Sequence, residues 1–178
     1  MGLLTLADHV HDIAENAVKA GAKNVKLIIN ETNEFFQFIV EDDGPGIKNI
    51  ENVFDPFYTT RSKKIRKVGL GLPFLKQATE ATGGFVEIES KIGKGTKVSA
   101  KFIKKHIDCQ PVGDLASVFF ALLLNLDVNF EIKRCKNDKC YTLDTETIKK
   151  YLGNIDSSSK LKFLKDLIKE LEENLEEG

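Results

Sequence analysis

The sequence lacks a long hydrophobic run. Its most apolar stretch, LASVFFALLLNL at 115–126, is too short to cross a bilayer and reads as a buried helix. It also lacks an excess of charge of either sign. The 26 Lys and Arg nearly balance the 27 Asp and Glu, leaving a net charge of −1, so no overall field draws the chain to nucleic acid or to a membrane. The first residues, MGLLTLADHV, have neither a basic region nor a cleavage site and do not read as a signal peptide. Leu6 stands where a myristoylation motif needs Ser or Thr. Only three cysteines are present, which predicts a cytoplasmic protein with unpaired thiols and no disulfide framework. No repeat or low-complexity block occurs. What is there is a chain of 178 residues, 42% apolar and 30% charged, enough for one domain with a smaller appendage.

Helical spacing of Leu6, Val10, Ile13, Ala14, Ala17 and Val18 predicts a first helix, stopped by Gly21. VKLIINE and EFFQFIVED, separated by TN, predict an antiparallel strand pair. Residues 48–68 carry many charges and no period, which predicts a long connection, either a functional lid or a disordered segment. A helix over 69–84 and strands at 85–91 and 95–103 follow. This order predicts an α+β fold with a helical layer over one sheet. A soft boundary near Lys104 separates residues 1–103 from an α/β extension, 104–178, with helix 112–126, strands 128–134 and 140–143, and helices 145–152 and 158–176.

Four segments carry candidate chemistry. Asp12 and Asn16 lie four apart and share one helix face. Their carboxylate and amide oxygens suit a hydrated magnesium ion, although most D-x-x-x-N pairs are solvated surface. In VEDDGPGI (40–47), Asp42 and Asp43 precede glycines that let backbone approach a ligand closely; a plain turn has the same composition. VFDPFYTTRSKKIRK (53–67) joins aromatic anchors at Phe54, Phe57 and Tyr58 to cations from Arg61 to Lys67, and the Thr59 and Thr60 hydroxyls suit a polyphosphate. VGLGLPFLK (68–76) sets Gly69 and Gly71 at a helix start, where free N–H groups favour anions.

In this order and spacing the segments resemble the histidine-kinase-like (GHKL) ATPases of the Bergerat fold, over residues 6–103. HDIAENAVKAGA is similar to the N box, DDGPGI to the G1 box, FDPFYTT to the F box, and GLGLPFLKQATEATGG with GKGT to the G2 region. The resemblance implies a two-layer α/β sandwich that binds Mg-ATP. It assigns the adenine amino group to Asp42, not Asp43, the magnesium ion to Asn16, and the general-base position to Asp12. The remaining ATP contacts it implies are Gly44, Gly46, Ile47, Phe54, Phe57, Thr59, Thr60, Arg61, Gly69, Leu70, Gly71, Leu72 and Thr96. Two departures stand out. Asp12 is one methylene shorter than the Glu of hydrolysing members, and Val68 stands where many relatives have a further glycine. Glu15 is about 100° round the helix from Asn16 and points away. His9, one turn before Asp12, reads as an ordinary surface histidine ahead of the alternative, a supporting partner of the Asp12 carboxylate.

Only eleven residues precede Asp12, so the resemblance places any phosphoacceptor on a partner protein. The expected function is a stand-alone protein kinase or ATPase. The competing expectation is a non-enzymatic ATP/ADP sensor, and an ATP-driven dimer clamp ranks last; a homodimer is left open. The motifs and tail together resemble small ATP-binding proteins often encoded near iron-only hydrogenase subunits, an association that makes a redox enzyme one candidate partner without giving a mechanism. In the tail, Cys109, Cys135, Cys140 and His106 are too irregularly spaced for a convincing metal site. The last helix repeats Leu161, Leu164, Ile168, Leu171 and Leu175, a docking or coiled-coil seam. Phe163 and Leu167 widen that stripe towards packing on the chain's own domain.

Overall fold

The computed structural model describes residues 3–55 and 71–176. Phe57, Thr59, Thr60, Arg61, Gly69 and Leu70, with most of the expected lid, lie outside the described residues. The first helix, α1 (Leu6–Lys19), opens on Thr5, whose hydroxyl accepts from the Asp8 N–H while the Asp8 side chain accepts from the Thr5 N–H. That reciprocal capping box satisfies two otherwise orphaned donors. Its apolar stripe, Leu6, Val10, Ile13, Ala14 and Ala17, is buried. Strands β1 (Asn24–Glu31) and β2 (Phe35–Asp42) form the expected antiparallel pair. After a short turn of helix at Ile50–Asn52 come α2 (Gly71–Ala81), β3 (Phe85–Lys91) and β4 (Gly95–Ile103). The remainder folds as α3 (Leu115–Leu123), β5 (Asn129–Lys136), β6 (Lys139–Asp144), α4 (Thr145–Leu152) and α5 (Ser158–Glu176).

All six described strands belong to one sheet, in the order β3-β4-β2-β1-β5-β6. The sheet therefore runs without a break across residue 104: β5 lies parallel to β1, pairing Val25 with Phe130 and Leu27 with Ile132. Alternate residues of the strands point into one shared core, including Leu27, Ile29, Phe36, Phe38, Val98, Phe102, Phe130 and Ile132. Helices α2, α1, α3 and α5 cover that face in a single layer. This is a mixed α/β sandwich of Bergerat type. The other face is open. One row across it reads Glu89, Lys97, Glu41, Lys26, Glu131, Asp144, alternating in sign over five strands. Opposite charges directly across a sheet contribute about 0.2–1 kcal/mol each.

Helix α5 packs on its own domain through Leu164 and Ile168, both fully buried, which stabilises by about 1.5–3 kcal/mol per side chain. Phe163 stays 56% exposed, so the stripe is narrower than its sequence suggests. Beside α5 the core holds charge. Arg134 donates from Nη2 to Glu31 Oε1 (2.7 Å) and from Nε to Glu172 Oε2 (3.1 Å), Lys104 reaches Glu31 Oε2, and the Tyr141 hydroxyl donates to Glu172 Oε2 (2.6 Å). Burial opposes ionisation of Glu31, but the Lys104 and Arg134 donors outweigh it and hold the carboxyl below its usual range.

Two expectations are corrected here. The cysteines are not all unpaired: Cys135 and Cys140 form a disulfide, and Cys109 is free. The reason is register. A two-residue turn, with Asn137 at a φ of 55°, pairs Lys136 with Lys139 and so sets Cys135 opposite Cys140, a spacing that local pattern does not reveal. The cysteine count therefore no longer argues for a reducing compartment. His9 is not a surface residue: it is 2% exposed, because α3 and the segment before it cover that side of α1. Among the described residues no helix is long and apolar enough to cross a membrane.

Candidate functional site

Strand β2 ends in two carboxylates that diverge, because consecutive strand residues point to opposite faces. Asp42 lies on the helix side, where its Oδ1 accepts the Gly44 N–H at 2.8 Å. Burial pushes its carboxyl above the usual range, partly offset by the Gly44 and Thr96 N–H groups. Asp43 is exposed. Its Oδ1 accepts the Lys23 and Asn24 N–H groups at 2.8 and 2.9 Å, and its Oδ2 accepts the Asn24 side-chain amide at 2.8 Å. With three hydrogen bonds, that carboxylate ties the end of β2 to the start of β1 and titrates below the usual range, the Asn24 amide being the main cause.

Asp42 lines a cavity of about 90 Å³ between α1 and the sheet. Its other walls are Ile13, Asn16, Ala17 and Ala20 from α1, Val40, Ile88, Thr96 and Val98 from the strands, Pro45, Gly46 and Ile47 from the turn, and Leu72 from α2. The structure thus brings together Asn16, Asp42, Gly46, Ile47, Leu72 and Thr96 from the sequence-derived set. The chamber is apolar but for a few convergent polar groups, the usual build of a small-molecule site. Gly46 has a φ of 82°, and a Cβ there would lie 2.4 Å from the Lys91 carbonyl oxygen, so only glycine lets the turn pass under the β3–β4 hairpin. The Ile47 N–H donates to Ser90 Oγ (2.7 Å), which also bonds Thr96 Oγ1 (2.8 Å). Sequence reading missed Ser90, whose only signal was its inward position in the alternation of β3.

Asp12 lies one turn before Asn16 on α1 and is not among the residues that line the cavity. A Cβ at Gly71 would come within 1.9 Å of Asp12 Oδ2 and 3.3 Å of Asn16 Nδ2, so the start of α2 closes directly on both side chains. Among the described residues, Asp12 Oδ2 is buried without a hydrogen-bond partner. Burial raises the Asp12 carboxyl above its usual range, with His9 as the main opposing influence. His9 Nε2 meets Gln110 Oε1 at 2.9 Å, its Nδ1 is buried without a partner among the described residues, and burial lowers its pKa. Glu15 does point away, between His11 and Lys19 at 3.6 and 3.7 Å. Phe54 does not line the cavity; it lies under the Lys76 ammonium of α2, 5.8 Å from its ring centroid.

A larger cleft, about 700 Å³, opens at the ends of β1, β2, β5 and β6. Its walls are mainly charged side chains, among them Lys26, Glu41, Asp43, Glu131 and Glu146. The smaller chamber is the better candidate, because it combines desolvated walls with a half-buried carboxylate and an adjacent helix start.

A one-sided mixed sheet, a carboxylate at a strand end under the helical layer, and a glycine-started helix closing on a carboxylate and an amide define a Bergerat-type nucleotide-binding domain. The profile of the histidine kinase-, DNA gyrase B- and HSP90-like ATPases matches residues 4–106, more than half of the sequence, and the chain belongs to that family. It is 36% identical over 97 residues to the sensor histidine kinase WalK of Bacillus subtilis (strain 168), covering 49% of this chain and 16% of that protein. It is 42% identical over 66 residues to the sensor kinase CckA of Brucella abortus (strain 2308), covering 35% and 7%. It is 32% identical over 109 residues to the sensor protein ChvG of Rhizobium meliloti (strain 1021), covering 56% and 19%. The chain thus spans less than a fifth of the length of each of these relatives. Membership implies ATP binding, normally with magnesium.

Proposed function

We propose that the chain is a Mg-ATP-binding module that passes the terminal phosphate to a partner protein or to water. The observation that carries this reading is Asp12 Oδ2, buried and unpartnered among the described residues, against the start of α2 and one turn from Asn16. An unsatisfied buried acceptor is costly, and a water or metal-bound ligand arriving at the helix start would satisfy it. The donor set fits magnesium, which takes oxygen ligands and keeps several of its own waters: the Asn16 amide oxygen would hold the ion, and the ion would neutralise phosphate charge.

In this reading Asp42 accepts from the adenine amino group. Guanine offers a carbonyl at that place and would leave two acceptors facing one another unpaired. Gly44, Gly46, Ile47, Leu72 and Thr96 shape the base and sugar end. Thr59, Thr60, Arg61, Gly69, Leu70 and Gly71 meet the phosphates, with Phe54 and Phe57 anchoring the lid. Asp12 orients the attacking group and takes its proton, a role in which geometry decides before pKa does. Phosphoryl transfer needs little more than positioning and charge neutralisation. The sensor histidine kinase WalK and the sensor kinase CckA support a protein acceptor, and a redox enzyme is the partner class proposed.

The test uses the full chain with magnesium and γ-labelled ATP, with and without lysate of the native host. Label appearing on a second protein supports a kinase; label released as phosphate supports an ATPase. Retained nucleotide with no movement of label would overturn the catalytic reading and leave an ATP/ADP sensor.

A further inference from the structure

We propose that Cys135 and Cys140 form a thiol–disulfide exchange site, whose substrate class is a low-molecular-weight thiol or a dithiol protein. The disulfide lies on the open face of the sheet, away from the ATP chamber, on the hairpin that ends in edge strand β6. Cys140 is exposed and Cys135 half-buried. An incoming sulfur therefore has access to Cys140.

The bond is not what holds its hairpin together. The two-residue turn at Asn137 and Asp138 and the backbone register of β5 and β6 already set the two cysteines opposite each other. On the reverse face Arg134 and Tyr141 are held by Glu172, and Ile132 and Leu143 are buried in the core. A disulfide across so short a loop also removes little freedom from the unfolded chain. The bond is thus free to break and re-form within the folded protein, as an exchange site requires. Lys133, two residues before Cys135 on the same face, favours a thiolate there.

The exchange balances as a two-electron reaction. A thiolate of the reductant attacks Sγ of Cys140, the S–S bond breaks, and the electron pair leaves on Sγ of Cys135. A second thiolate of the reductant attacks the reductant's sulfur in the mixed disulfide and releases Cys140. The pair gains two electrons and two protons, and the reductant becomes a disulfide.

The test holds the full chain in a series of reduced and oxidised glutathione buffers, blocks free thiols, and counts them by mass spectrometry beside far-UV circular dichroism. The expected result is one transition in which Cys135 and Cys140 become blocked together while the folded spectrum persists, reversed when oxidised glutathione is restored. With Cys109→Ser also present so that one thiol remains, oxidised glutathione should add to Cys140 in Cys135→Ser roughly tenfold faster than to Cys135 in Cys140→Ser, since access governs attack. A pair that opens only on unfolding, that never closes in oxidised glutathione, or that reacts faster at Cys135 would overturn the proposal.

Discussion

Asp42 and Asp43 are neighbours whose carboxylates face opposite sides of the sheet: Asp42 turns into the chamber over the Gly44 N–H, and Asp43 clasps Lys23 and Asn24 outside it. One is partly desolvated with acceptor capacity to spare; the other is exposed and already accepts three hydrogen bonds. A ligand in the chamber meets only the first.

Asp43→Ala should therefore cost stability and leave nucleotide affinity unchanged. Losing its hydrogen bonds should lower unfolding free energy by about 0.5–1.5 kcal/mol at pH 7, read from urea denaturation. The folded carboxyl titrates below its unfolded value of about 3.9, so this contribution is present above that pH and fades as pH falls through the lower folded value. A difference between wild type and variant that grows on acidification would contradict the assignment.

Gly71→Ala should weaken Mg-ATP binding without unfolding the protein. The added methyl group meets Asp12 Oδ2, so the start of α2 must shift away from Asp12 and Asn16. Calorimetric titration should show roughly a tenfold loss of affinity, about 1.4 kcal/mol. Wild-type affinity would mean that the start of α2 does not close on the phosphates.

Asp12→Asn should abolish turnover of γ-labelled ATP while keeping ATP affinity within about threefold, since an amide keeps the shape but cannot take a proton. Unchanged turnover would remove Asp12 from the mechanism.

Arg134→Leu leaves the buried Glu31 carboxylate with Lys104 alone. Breaking a buried pair from one side costs about 3 kcal/mol or more, and the urea midpoint should fall accordingly. A variant as stable as wild type would show that Lys104 and water suffice.

The contrast between Glu31 and Asp42 shows what the sequence disclosed. Asp42 was legible because it sits in a motif whose spacing carries the chemistry, as do Asn16, Gly46 and Gly71. The helical stripe of α1 and the alternation of β1 to β4 were legible because their periods are local. Arg134 occupies an inward slot of β5, where alternation predicts an apolar residue, and only the parallel pairing with β1 supplies its partner Glu31. That pairing joins segments about a hundred residues apart and leaves no local trace. The burial of His9 has the same origin, since Gln110 comes from beyond the matched family region. The disulfide followed from hairpin register, and cysteine spacing alone did not specify it.

The central claim is that the chamber reads adenine through Asp42, and calorimetric titration of ATP and GTP into wild type and Asp42→Asn tests it most directly. Wild type should bind ATP well and GTP poorly, and Asp42→Asn should lose at least tenfold in ATP affinity, about 1.4 kcal/mol, with its urea midpoint preserved. Equal ATP affinity in the two proteins would contradict the account.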